Sequence, residues 1–161
     1  MRKVLILLNF IFFTIILLYS INQKEELITN GEKLILRLAP VDPRSLMQGD
    51  YMRLDFNIAR EIAKCRPKDT YQFSTHQAII KLDERGVATF VSLYTRELQE
   101  DEKILSFKAT RRNITIVTDA WFFQEGEAQR FQKARYGEFR ILADGKALLV
   151  GMLDEKLLAI K

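Results

Sequence analysis

The stretch FRILADGKALLVGM, residues 139–152, indicates the fold class of this 161-residue chain most directly. Apolar residues stand at every second position before Asp144-Gly145, and a second apolar run then returns to Met152. A period of two is typical of a β-strand with one buried face, and Asp-Gly between two such runs is typical of a tight turn. The sequence therefore predicts an antiparallel hairpin here.

Similar strands are predicted nearer the N-terminus, where apolar side chains again alternate with polar ones. They cover residues 34–38, 52–58, 76–82, 87–94, 103–110 and 113–118. In the first, Leu34, Leu36 and Leu38 face one side and Ile35 the other. Gly86 ends a polar turn between two strands, where a glycine can adopt positive φ. Residues 59–64 and 124–134 are predicted as short helices. Residues 121–123, Trp-Phe-Phe, are predicted as core, and the alternative is a patch that enters the lipid surface.

Together these segments predict a mainly β fold, an antiparallel sandwich or barrel-like domain with one or two short helices. One N-terminal transmembrane helix precedes it. The predicted boundaries are an anchor at residues 1–21, a polar linker at 22–32, and the β-rich domain at 33–161.

The anchor is the run from Val4 to Ile21, in which 15 of 18 residues are apolar. As a helix it would span roughly 27 Å, close to the thickness of a bilayer's hydrocarbon core. Arg2 and Lys3 precede the run, so this end is expected to stay in the cytoplasm and the rest to be translocated. A cleaved signal peptide is the alternative, but bulky Leu18 would occupy a position that needs a small residue.

Two polar residues, Asn9 and Thr14, lie within this run. Thr14 can bond back to its own helix, and such groups can simply be tolerated in a membrane. The alternative is that they mark a contact with another membrane helix. The sequence favours the first interpretation and leaves the second open.

Composition excludes several classes of protein. The chain has 25 basic and 21 acidic residues, and without Arg2, Lys3 and Lys24 the remainder is close to neutral. No basic run exceeds two residues, so no nucleic-acid partner is expected. One cysteine and one histidine exclude an internal disulfide and a Cys/His zinc site. No cofactor is expected.

The unusual segment is LAPVDPRSLMQGDYMRLDF, residues 38–56. Prolines and a glycine at these spacings favour a rigid strand–loop–strand unit whose carboxylates hold backbone N–H groups. The alternative is a surface binding site that uses Asp42, Arg44, Asp50 and Arg53.

This segment resembles the GDYXXLXY-motif proteins, a bacterial family of unknown function, through Gly49, Asp50, Tyr51 and Leu54. Phe56 replaces the final tyrosine of the motif. The resemblance implies an anchored, extracytoplasmic domain in the bacterial inner membrane and a polytopic membrane-protein partner. The candidate binding residues are Pro40, Asp42, Pro43, Arg44, Gly49, Asp50, Tyr51, Leu54, Arg135 and Tyr136.

Three functions follow as hypotheses. The first is a non-enzymatic accessory subunit of an envelope membrane-protein complex. The second is a ligand- or cation-sensing module that uses the oxygens of Asp42, Asp50, Asp55 and Glu125. The third is a membrane-tethered serine protease similar to signal peptidases. It is least favoured because Val41 stands at the expected nucleophile position and no lysine is obviously aimed at Ser45; Lys64 and Lys81 are the candidates.

Overall fold

A computed structural model of the chain describes residues 2–39, 47–48, 51–65, 74–110 and 113–160. The helices are α1 (Arg2–Asn30), α2 (Asn57–Cys65) and α3 (Ala128–Phe131). The strands are β1 (Glu32–Arg37), β2 (Met47–Gln48), β3 (Tyr51–Arg53), β4 (Ser74–Leu82), β5 (Ala88–Leu93), β6 (Glu102–Ala109), β7 (Ile114–Thr115), β8 (Ala120–Phe122), β9 (Tyr136–Ile141) and β10 (Ala147–Leu153). The mainly β fold after an N-terminal apolar helix is confirmed, and two short helices lie within the described residues.

Helix α1 is longer than the apolar run that predicts it. It continues to Asn30, so most of the predicted linker, residues 22–32, is helical. The reason is composition: residues 22–30 include Gln, Lys, Glu and Leu, which favour helix, and no glycine or proline precedes Gly31. The helix ends before Gly31, and the Gly31 N–H donates to the carbonyl of Leu27 at 3.1 Å. The segment Ile6–Asn30 is long and apolar enough to cross a membrane.

The predicted C-terminal hairpin is confirmed as β9 and β10, which pair antiparallel. β1 lies along the other side of β9 and completes a three-stranded sheet in the order β1-β9-β10. A second sheet has the order β5-β4-β6-β7, and a third has the order β2-β3-β8. The antiparallel strands curl into half a barrel.

The core fills the inside of this curl. Its largest fully buried side chains come from all three sheets and from α2, and they include Leu36, Met52, Phe56, Ile62, Ile80, Leu105 and Phe139. The alternation in the sequence therefore identifies most inward-facing positions correctly, because side chains of a strand point to opposite faces in turn.

Four local predictions are wrong. Ile35, expected on the outer face of β1, is only 1% exposed. The backbone of Ile35 pairs with the β4–β5 turn along the edge of β1, where the Ile35 N–H donates to the Gly86 carbonyl at 2.9 Å. The strand at 52–58 stops early because α2 begins at Asn57, and its buried Ile58 and Ile62 lie one helical turn apart. Strand 113–118 is only Ile114–Thr115, and helix 124–134 only Ala128–Phe131.

Gly145 and Gly86 form a matched pair of turn glycines, with φ of 83° and 79°. A Cβ at Gly145 would lie 2.7 Å from Ile104 Cγ2, whereas one at Gly86 would meet nothing within 4 Å. Gly86→Ala is expected to cost about 1–2 kcal/mol for the left-handed backbone alone. Gly145→Ala should cost about 1–3 kcal/mol more because it also overpacks β6. Urea unfolding of both variants measures the difference; equal costs would contradict the predicted clash.

Glu102 is the one buried charged residue among those the structure describes. Its carboxylate accepts two hydrogen bonds from Arg96, at 2.6 and 2.8 Å, and one from the Gln99 N–H at 2.9 Å. The Arg96 hydrogen bonds first, and the Gln99 N–H second, lower the pKa of Glu102. Hydrogen bonds to the charged form have this effect because protonation would forfeit them.

This ion pair is expected to make the stability of the fold depend on pH. Since the pKa of Glu102 is lower in the folded chain than in the unfolded chain, its stabilisation is complete above the unfolded value, about 4.3. It is lost as the pH falls through the folded value. Glu102→Gln is expected to be less stable than wild type near neutral pH and to lose less stability on acidification. Thermal melts between about pH 7 and pH 3 measure both slopes; parallel slopes would be inconsistent with this role.

Candidate functional site

The motif that dominates the sequence is only partly described by the structure. Tyr51, Leu54, Arg135 and Tyr136 are described. Six other predicted site residues lie outside the described residues: Pro40, Asp42, Pro43, Arg44, Gly49 and Asp50. The described part of the motif begins with β3, the strand that follows Asp50.

That strand, β3, is the central strand of the β2-β3-β8 sheet, where Tyr51 pairs with Phe122, Met52 with Trp121, and Arg53 with Ala120. Alternation places Tyr51, Arg53, Ala120 and Phe122 on one side, which we call the motif face. Met52, on the opposite side, is 1% exposed. Tyr51 of the motif therefore lies on the outward side of β3, and Met52, which follows it, anchors the strand in the core.

Tyr51 and Phe122 form an aromatic pair on the motif face. Their ring centroids are 5.7 Å apart and their planes are inclined by 41°. Tyr51 is half-buried, whereas Phe122 is 74% exposed, the highest value among the exposed large apolar residues of the described chain. The prediction that residues 121–123 are core is therefore wrong for Phe122, because three consecutive residues near a strand cannot all point inward.

An aromatic cluster packs on the side of the β2-β3-β8 sheet opposite to the motif face. Trp121 and Phe123 are half-buried, and both lie against Phe131 of α3, with ring centroids 6.2 and 5.1 Å away. The Trp121 Nε1–H is buried and has no hydrogen-bond partner in the described part of the chain. An unsatisfied indole N–H costs about 1–3 kcal/mol, which the ring contacts must offset.

The last two defined motif positions lie in the core. Leu54 is buried, and its N–H donates to the Asp119 carbonyl at 2.8 Å. Phe56, where the motif has tyrosine, packs edge-on against Phe139 at 5.4 Å. A Cβ at Gly137 would lie 3.1 Å from the Phe56 ring, so only glycine lets the ring approach β9 this closely. Leu54 and Phe56 therefore hold β3 against the core, whereas the exposed residues of the site lie on the motif face.

Arg135 and Tyr136 connect the motif to the C-terminal hairpin. The Arg135 carbonyl accepts from the Leu38 N–H at 2.9 Å, and the Arg135 N–H donates to the Leu153 carbonyl at 2.9 Å. Its guanidinium donates to the carbonyls of Gln132 and Ala134 and so closes its own loop. Tyr136 pairs with Arg37 and Leu153 at the start of β9. The described contacts of both residues are structural.

A cleft of about 150 Å³ runs along the edge of the motif face. Its lining residues are 53–56, 59, 113–116, 118 and 119. The connection between β7 and β8 turns at Val117, which has a φ of 61°. A β-branched residue at positive φ is strained, so surrounding contacts must hold this turn. Thr118 supplies them: its hydroxyl donates to the Ala120 carbonyl at 3.0 Å.

The residues proposed for cation binding and for proteolysis are mostly engaged elsewhere or undescribed. Asp55 accepts two hydrogen bonds from Arg60, at 2.8 and 3.0 Å. In the ranges that the structure covers, no three His, Cys, Asp or Glu side chains are grouped to hold a metal. Lys81 is ion-paired with Asp101, whose hydrogen bond raises the lysine's pKa. A catalytic base needs the opposite shift. Val41 and Ser45 lie outside the described residues.

Sequence reasoning missed Phe122 as a site residue and could not pair Tyr51 with it across 71 positions of chain. The sequence signal that could have identified Phe122 was the alternation of residues 120–123.

Among known proteins, a family model described as "GDYXXLXY protein" matches residues 13–152, which is most of the chain. No curated protein and no solved structure matches it.

Proposed function

The chain belongs to the GDYXXLXY family, and from this premise we propose that it is a non-enzymatic subunit of an envelope membrane-protein complex. Helix α1 anchors the subunit in the bacterial inner membrane. The positive charges of Arg2 and Lys3 keep the N-terminus in the cytoplasm, and the β-rich domain lies on the periplasmic side.

The observation that carries this proposal is the exposure of Phe122 beside Tyr51 on the motif face. Exposed aromatic side chains on a rigid strand are typical anchors of protein–protein interfaces, because they bury a large area at little entropic cost. The pair lies on a framework of strand pairing and aromatic packing, so it is preorganised for a partner.

The anchor supports the same proposal because its C-terminal end contacts the domain. Leu27 is buried, the Arg140 guanidinium donates to the Gly31 carbonyl at 3.4 Å, and α1 contacts β9 and β10. A domain that contacts the end of its membrane helix lies close to the bilayer surface. Such an arrangement suits a subunit that contacts a polytopic partner both inside the membrane and at its surface.

Co-purification of the full-length chain from mild detergent tests the proposal. Phe122→Ser is expected to reduce the partner recovered per chain by about tenfold or more, as for an interface anchor. Leu158→Ser is the matched control, because Leu158 is 61% exposed but lies in the loop after β10. Equal recovery with both variants, or a wild-type chain that always elutes alone, would refute the proposal.

A further inference from the structure

A polar cleft lies where the last turns of α1 meet the turn between β9 and β10. Its volume is about 670 Å³, and its lining includes Tyr19, Asn22, Gln23, Glu26, Asp144 and Lys146. Tyr19, Gln23 and Glu26 are spaced by four and three positions, so they lie on one side of the helix. We call this space the helix–turn cleft. The function proposed above assigns no role to it.

Contacts with the domain order both walls of the helix–turn cleft. On the turn side, the Ser106 N–H of β6 donates to the Gly145 carbonyl at 2.9 Å, and the Lys146 N–H donates to the Asp144 carboxylate at 2.9 Å. On the helix side, Leu27 is buried and α1 contacts β9 and β10. A cleft whose walls are already ordered binds a small group at a lower entropic cost.

The helix–turn cleft lies at the depth of the lipid headgroups once α1 spans the bilayer. The apolar run ends at Ile21, and its length matches the hydrocarbon core. The polar layer of each leaflet adds about 5–8 Å, or about three to five residues of helix. Residues 22–26 therefore fall in this layer, and four of them line the cleft. Tyr19 is of a residue type that is enriched at this boundary.

The charges of the helix–turn cleft match a ligand that carries both a cation and an anion. Lys146 forms a salt bridge with Asp144 at 2.8 Å, which leaves two of its three N–H donors for an anion. The hydrogen bond to Asp144 raises the pKa of Lys146, and the charge of Glu26 adds to this effect across the cleft. Within the described residues the Glu26 carboxylate forms no hydrogen bond or salt bridge, so it can accept an ammonium.

A primary ammonium fits this cleft better than a metal ion or a quaternary ammonium does. In the described ranges, the acidic side chains are not grouped to hold a metal. The side-chain oxygens of Asn22, Gln23 and Glu26 accept hydrogen bonds from N–H donors, which a quaternary ammonium lacks. Quaternary ammonium groups are bound by cages of aromatic rings, whereas Tyr19 is the one aromatic residue among the described lining residues.

We propose that the helix–turn cleft binds the headgroup of a phospholipid that carries a primary ammonium, with the phosphate at Lys146 and the ammonium at Glu26. This inference rests on the membrane anchoring in the function proposed above and adds a lipid ligand to it. A headgroup in this position contacts both α1 and the β9–β10 turn, so it favours one orientation of the domain at the bilayer surface.

Native mass spectrometry of the full-length chain tests the proposal. The chain is purified in detergent with equal amounts of phosphatidylethanolamine, phosphatidylcholine and phosphatidylglycerol, and the lipid retained per chain is counted. Phosphatidylethanolamine is expected to be retained about fivefold or more above either other lipid, as for one additional charge-assisted hydrogen bond. Equal retention of the three lipids, preference for another lipid, or no retained lipid would overturn the inference. Water-soluble phosphoethanolamine in large excess should not displace the lipid; displacement would assign the cleft to a soluble ligand and overturn it.

Substitutions on the two walls separate the two charges. Glu26→Gln is expected to lower the preference for phosphatidylethanolamine over phosphatidylcholine by about fivefold, because it removes the partner of the ammonium. Lys146→Gln is expected to lower the retention of phosphatidylethanolamine by a similar factor, because it removes the phosphate contact. Glu84→Gln is the matched control, since Glu84 is exposed in the β4–β5 turn and does not line the cleft. Retention like that of wild type in either cleft variant would contradict the assignment.

The two proposals fail in distinguishable ways. A chain that stays in the membrane and co-purifies with a partner, but retains the three lipids equally, removes the lipid site alone. A chain that does not integrate into the membrane removes the proposed function and the lipid site together.

Discussion

Two arginines in the centre of α1, Ile11→Arg together with Ile15→Arg, are expected to abolish membrane integration of the full-length chain. Each arginine at the centre of a transmembrane helix costs about 2.5–3.5 kcal/mol on insertion scales. The apolar run is short, so the helix cannot slide to bring both guanidinium groups to an interface. Both positions lie within the candidate membrane span, and neither contributes to the core of the β-rich domain, so the effect reports on anchoring.

Resistance to alkaline carbonate extraction measures the outcome. The wild-type chain should remain in the membrane pellet, and the double-arginine variant should be extracted or degraded. Ile11→Leu with Ile15→Leu is the matched control and should behave as wild type, since it keeps the side chains apolar and of the same volume. A double-arginine chain that still resists extraction would mean that α1 is not the membrane anchor.

The strand pattern was predictable wherever one face of a strand meets the core and the other meets water. β5 and β9 meet this condition, and a glycine at positive φ marks the turn next to each of them. In β4 the consecutive residues 78–80 are all buried, so the strand has no water-facing side there. The failures have physical causes. Ile35 is buried on a strand whose edge pairs with the β4–β5 turn, and that turn is distant in sequence. Residues 52–58 fit both a strand and the start of a helix, because buried positions four apart satisfy either period.

The candidate site was less predictable than the fold because it depends on long-range pairing. Tyr51 could be singled out from its motif, but its partner Phe122 lies on β8, and nothing local gives the register between β3 and β8. The orientation of α1 is a similar case. Its apolar run predicts a membrane helix, whereas the side that faces the domain depends on Leu27, beyond the predicted anchor.

The two parts of the motif have different physical roles, and this separation leads to the last prediction. Tyr51 lies on the motif face, whereas Leu54 and Phe56 lie in the core. Phe56→Ala is expected to lower the free energy of unfolding by about 3–5 kcal/mol, because it removes a ring that is 2% exposed and leaves a cavity beside Phe139 and Gly137.

Far-UV circular dichroism during urea unfolding of the full-length chain in detergent measures the effect of Phe56→Ala. Phe122→Ala is the matched control, since it removes the same atoms from a ring that is 74% exposed and should change stability by less than about 0.5 kcal/mol. Partner recovery should show the reverse order once it is normalised to folded chain. If Phe56→Ala unfolds like wild type but loses the partner, the final motif position belongs to the binding surface. The division of the motif into an exposed tyrosine and a buried support would then be wrong.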